Sequence, residues 1–214
     1  KRCMDAIVKS NAMTPKDPAL EAAGTAYGTA LTALRPVLDE ARKYYEDRGY
    51  KTDKFVGAVA LHQKLVKSFD DFDAANKALS ARIDALQDEE DARDLARIEK
   101  TEGRKLPYLV RATYVSAKAT TRVAGQAAKA KDLALFTKAY TDVDTIVKEL
   151  LAYRDAHGDE AHKAGVQGYT QEAEKFARFA REFKQKLEDK QPASTEPLDD
   201  QYNSIVRSLN ALRI

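Results

Sequence analysis

Apolar positions recur at steps of three and four along nearly the whole chain, and no stretch of useful length alternates as a strand would. The pattern predicts a short helix over 2–13, with Met4, Ile7, Val8 and Met13 apolar, and a turn at Thr14–Pro18. From about Ala19 to Asp47 the face is Leu31, Leu34, Leu38, Ala41 and Tyr45, with a kink or break expected near Thr32–Arg35 because Pro36 removes a backbone donor. Gly49 is expected to stop this helix in a left-handed conformation. A long helix then opens at Thr52 or Asp53, both good N-caps. Its stripe is Phe55, Val59, His62, Val66, Phe69, Phe72 or Asp73, Asn76, Leu79, Ile83 and Leu86, close to the seam of an antiparallel bundle.

The acids Asp88–Asp91 interrupt that stripe and suit a fresh helix N-terminus, so a kink or restart is expected there, before Leu95, Ile98 and Gly103. Pro107 opens a helix to about Ala128, with Leu109, Val110, Tyr114, Ala117, Val123 and Ala124 inward. Another, Asp132–Ala156, carries Leu133, Phe136, Tyr140, Val143, Val147, Leu150 and Tyr153, and ends at Gly158. Tyr169–Asp189 spaces Tyr169, Ala173, Phe176, Ala180, Phe183 and Leu187 inward; Leu198–Leu212 closes the chain after a linker-like loop. The expected fold is all-α: one elongated antiparallel bundle over 1–214, with four or more long helices and short terminal ones, burying Phe69, Phe72, Phe176 and Phe183.

The hairpins about 34–72 and 143–179 align, Val37, Leu38, Tyr44 and Gly49 with Ile146, Val147, Tyr153 and Gly158. Two readings stand: an old duplication, or the alignment any two heptad-like hairpins allow.

Composition narrows the function classes. The 36 basic and 34 acidic residues interleave, which argues against a nucleic-acid or anionic-membrane surface. No apolar run approaches the ~20 residues of a membrane span. Cys3 is the single cysteine, so neither an internal disulfide nor a cysteine metal site can form, and it reads as a buried or partly buried thiol. Nucleophile elbow, phosphate-binding glycine loop and HExxH are all missing from the sequence, so no catalytic residue is nominated, and no cofactor or metal is expected.

The segment Tyr44-Tyr45, Tyr50-Lys51-Thr52-Asp53-Lys54-Phe55, Gly57, Leu61-His62, Leu65, Phe69 and Phe72 resembles the YiiG-like bacterial lipoproteins of unknown function. Leu95–Lys100 with Gly103, and the closing QYNSIVRSLN, are similar to further landmarks of that family. The resemblance implies an all-helical exported domain, tethered to the membrane only through a lipidated cysteine upstream; beyond it, a periplasmic location and a protein partner in the cell envelope are expected. It carries no established activity, and the expectation is a non-enzymatic binding or scaffold module. A small-ligand or metal-binding helical module is the alternative.

Four residues are the candidate binding site. Tyr44, Tyr45 and Tyr50 either line a ligand groove or cap the end of the bundle. Tyr45 is expected to continue the core face and Tyr44 to turn to the flank, towards Tyr50. His62 is either a base or ligand between helices or, as its place between Val59 and Val66 favours, a hydrogen-bonded core histidine. Asn76 reads as a buried register residue. His157, Asp159, Glu160 and His162 could hold a divalent cation, but the two histidines stand five apart around Gly158, and a solvated turn explains them better.

Overall fold

The structure, a computed structural model, describes the backbone over residues 2–212 and the side chains over 4–212. The expectation for the Cys3 thiol lies outside the described side chains. Among the described residues the chain forms nine helices and no strand: α1 (Arg2–Asn11), α2 (Pro18–Glu46), α3 (Tyr50–Asp53), α4 (Val56–Glu102), α5 (Leu106–Ala130), α6 (Leu133–Ala156), α7 (Gly158–Ala164), α8 (Gln167–Glu188) and α9 (Glu196–Leu209). It is an all-α helical bundle protein. The helices divide into two compact units, 1–90 and 91–214, with the boundary inside α4.

In the first unit α2 and α4 form an antiparallel hairpin. Asp17 caps α2, its Oδ1 accepting the Leu20 N–H at 2.7 Å, and its carboxylate also takes the Arg82 guanidinium from α4. Further along, Tyr27 packs on Phe72 with ring centroids 5.3 Å apart, and Lys64 Nζ pairs with Glu40 at 2.8 Å. Side α1 lies against α2 at Gly28, where a Cβ would come within 2.6 Å of Met4 Sδ. The interior is thin: the buried apolar side chains described here are Leu34, Ala41 and Leu61.

The second unit is a closed ring, α5 on α6, α6 on α8, α8 on α9 and α9 back on α5. Two residues, Lys131 and Asp132, join α5 to α6, which makes them antiparallel neighbours. Ala117, Ala124 and Ala127 are fully buried on α5 and let α6 approach closely, so that Thr120 Oγ1 reaches the Ala139 carbonyl at 3.1 Å. Phe136 meets Phe183 at 4.7 Å between centroids, and Val110, Val143, Leu150, Phe176, Leu198 and Ile205 fill the rest. The Tyr169 ring is buried and its hydroxyl donates to the Val110 carbonyl at 2.8 Å; burial pushes that phenol far above its ordinary pKa.

Several expectations fail at points with a local cause. Helix α2 runs through Pro36 without a break. Helix α4 is continuous through Asp88–Asp91, with no restart, because Asp91 turns inward to cations on α5. Gly49 is right-handed, and the positive φ of 55° falls on Arg48. The residues after Gly158 form α7, and the left-handed glycine is Gly165. The largest correction concerns α4. Its inward side chains are Leu61, Leu65, Phe72 and Leu79, whereas Val59, His62, Val66, Phe69, Asn76 and Ile83 are exposed. His62 and Asn76 are therefore not core residues. Of the four phenylalanines, Phe176 and Phe183 are buried, Phe72 is half-buried and Phe69 stands 48% exposed.

Candidate functional site

The chain reverses at the Tyr44–Gly57 turn, and the two tyrosines there take opposite roles to those expected. Tyr44 is the inward one. Its ring lies against Gly49 and Gly57, where added Cβ atoms would come within 2.8 and 2.9 Å of it. Its hydroxyl donates to Asp53 Oδ1 at 2.8 Å. Asp53 in turn accepts the Phe55 N–H at 3.0 Å and the Gly57 N–H at 2.8 Å, satisfying donors at the start of α4. Burial alone would push the Asp53 carboxyl up; the three hydrogen bonds outweigh it and hold the pKa below the ordinary value. Desolvation, and then the bond to Asp53, raises the Tyr44 phenol. The Tyr44, Asp53 and Gly57 positions thus interlock as one structural unit.

Tyr45 points out, and a ladder of rings follows: Tyr45 to Tyr50 at 6.2 Å, then Tyr50 stacked on Phe55 at 5.3 Å. Lys54 and Phe55 both have positive φ, 53° and 69°. That conformation is costly for a bulky residue, and the Asp53 bond together with the ring stacking holds it. Tyr44, Tyr45 and Tyr50 are brought together; His62 is not among them.

His62 belongs instead to an open apolar stripe. Val59, Val66 and Phe69 beside it are 60%, 45% and 48% exposed. At ~100° per residue these positions sit on the flank of α4 opposite the Lys64–Glu40 pair, and Leu38 and Tyr45 of α2, also exposed, turn to the same side. Charged residues seam one flank of the hairpin and apolar residues line the other.

In the second unit sequence reasoning missed a buried ionic cluster. Asp91, 5% exposed, accepts from Arg111 at 2.7 Å and from Lys118 at 2.9 Å. The Arg111 guanidinium also lies 5.1 Å from the Tyr114 ring centroid, and Tyr114 stacks on Tyr202 at 6.0 Å. Arg111 Nε is buried without a hydrogen-bond partner among the described residues. The available signal was the spacing of Arg111 and Lys118, seven apart and so on one face of α5.

The His157–His162 segment separates its histidines. His157 stacks on Tyr153, centroids 4.0 Å apart, and Glu160 accepts from the Tyr153 hydroxyl at 3.0 Å. His162 instead lines a shallow cleft of about 350 Å³ with Arg154, Gln167, Gln171 and Glu174. Among the described residues no three His, Cys, Asp or Glu side chains gather as a metal site, and no helix is long and apolar enough to cross a membrane.

A two-unit all-α chain, with a closed bundle in one unit and a thin hairpin in the other, defines the class. The chain belongs to the family described as "Protein of unknown function (DUF3829)", which it matches over residues 1–210. It is 26% identical to the uncharacterized protein YiiG of Escherichia coli (strain K12), over 99% of this chain and 63% of that protein. The chain therefore spans less than two thirds of its relative's length. No solved structure matches it.

Proposed function

We propose that this chain is a non-enzymatic docking or scaffold module of the bacterial cell envelope, held to a membrane by a lipid on a cysteine upstream of Lys1. The observation that carries the docking reading is the open stripe Val59, Val66 and Phe69 on a folded hairpin. Large apolar side chains contiguous on one flank are unusual on a surface with no partner. The envelope reading rests on what the resemblance of the Tyr44–Phe72 segment to the YiiG-like family implies.

Single cysteines at Val59 and Val66, placed in a Cys3→Ser background, are expected to react with a maleimide as exposed thiols in the dilute folded protein. The triple variant Val59→Ser, Val66→Ser, Phe69→Ser is expected to keep the wild-type melting temperature. Slow labelling, or melting lowered by many degrees, would make the stripe internal packing and remove the docking reading. Fractionating cells that express the full-length protein tests the compartment, since recovery solely from the cytosol contradicts it.

A further inference from the structure

We infer that the occupant of the open stripe is a second copy of this chain, its α4 running antiparallel to the first. The inference rests on the docking reading above and commits to its partner. Three observations lead to it. The stripe Val59, His62, Val66, Phe69, Asp73 and Asn76 keeps steps of three and four over five intervals, the spacing a partner helix reads. All six residues are exposed, and the segment extends over ~26 Å of helix at 1.5 Å per residue. The third is charge. His62 and Asp73 are the ionisable residues of this stripe, and one antiparallel register sets them opposite each other across the two-fold axis.

In that register Val66 faces the partner's Phe69, His62 faces the partner's Asp73, and Val59 faces the partner's Asn76. Sliding the pair by one heptad in one direction puts Asp73 against Phe69; sliding it the other way puts Asp73 against Phe55. Either places a carboxylate on an aromatic side chain. Asp73 pairs within its own helix with Lys77 at 2.5 Å, which leaves carboxylate lone pairs for a partner imidazole. Since Leu61, Leu65, Phe72 and Leu79 pack on α2, two hairpins joined this way make a four-helix bundle. The closed ring of the second unit needs no such completion.

The test uses the 214-residue chain in analytical ultracentrifugation over a wide range of concentrations. Dimerisation that rises with concentration is expected. Val66→Glu with Phe69→Glu should abolish it while leaving circular dichroism and melting of the dilute protein unchanged. His62→Asp should weaken the dimer roughly tenfold or more through like charge, and His62→Asp with Asp73→His should restore it. In a Cys3→Ser background, Val66→Cys mixed with Phe69→Cys should oxidise to a cross-linked heterodimer, and neither alone should cross-link as well. Self-cross-linking of each variant alone overturns the antiparallel register. A chain that stays monomeric while its stripe cysteines label freely overturns the second-copy occupant and leaves the docking surface in place for another protein. A monomer whose stripe cysteines are protected removes both.

Discussion

Phe69 and Phe176 occupy stripes of the same spacing, aligned at an offset of 107 residues, and they meet different fates. Phe176 is wholly buried among α5, α6, α8 and α9, whereas Phe69 is half in solvent on α4. The difference lies in closure. In the second unit four helices form a ring, so every inward stripe finds a neighbour. In the first, α2 covers one stripe of α4, α1 lies on α2, and the adjacent stripe of α4 is left open. Apart from Leu135, the large apolar side chains left exposed among the described residues all belong to the first unit. Equal helical content thus conceals unequal cores, and one unit is packed for stability while the other keeps apolar surface in reserve.

That contrast predicts a graded set of substitution effects. Phe136→Ala and Phe176→Ala should each cost about 3–5 kcal/mol in denaturant unfolding, the usual range for a truncated buried phenylalanine. Phe69→Ala should fall within about 0.5 kcal/mol in the dilute protein, as surface changes do. A cost for Phe69 equal to that for Phe176 would break the comparison. Next comes Asp91→Ala, which removes the acceptor that Arg111, also 3.5 Å from Asp94, shares with Lys118, and should cost about 1–3 kcal/mol. The loss would appear in the unfolding of the second unit.

Smaller effects are expected at the hairpin end. Gly57→Ala forces the new methyl to within 2.9 Å of the Tyr44 ring, and Tyr44→Phe removes the bond to Asp53. Each should lower the melting temperature by a few degrees, while Tyr45→Ala, on an exposed ring, should lower it less. Melting that is insensitive to Tyr44 and sensitive to Tyr45 would restore the orientation expected from sequence.

Acid should act through the same contacts. The Arg82 guanidinium and the Leu20 N–H hold Asp17 below the ordinary carboxylate pKa, and hydrogen bonds from Tyr44, Gly57 and Phe55 do the same for Asp53 against the opposing effect of burial. A depressed folded pKa means these groups stabilise fully above the unfolded value of ~4 and lose that contribution as pH falls through the folded one. Melting temperature should therefore drop on acidification below about pH 4. Asp17→Asn with Asp53→Asn should melt lower at neutral pH and show a flatter acid limb. An unchanged acid limb in that variant would remove both carboxylates from the account.

How much was legible in the sequence follows from the same contrast. The α8 stripe of Tyr169, Ala173, Phe176, Ala180 and Phe183 was readable because polar residues flank it on both sides and a single face remained to bury. The buried α5 positions Leu109, Val110, Ala117 and Ala124 were readable for the same reason. Helix α4 carries two adjacent apolar stripes, Leu61–Leu65–Phe72–Leu79 and Val59–Val66–Phe69–Ile83, and periodicity alone cannot select between them. What selects is the neighbour: Tyr27 of α2 meets Phe72 of the first stripe, and Leu34 and Ala41 of α2 are buried. Asp91 was hidden because an acidic run resembles a helix start, and its cations lie 20 and 27 residues further on. At the turn, the aromatic and acidic residues were picked out correctly as a group. Which tyrosine faces in depended on Gly49 and Gly57, whose missing Cβ atoms make room for Tyr44.

Hydrogen exchange followed at two protein concentrations, well below and well above the dimer midpoint, tests the central claim most directly. The prediction is slow, concentration-independent exchange in the core segments of α5, α6 and α8. Faster exchange is expected in α2 and in α4 up to Ile83, slowing over 59–76 at the higher concentration. Uniform protection of both units, unchanged between the two concentrations, would contradict the account.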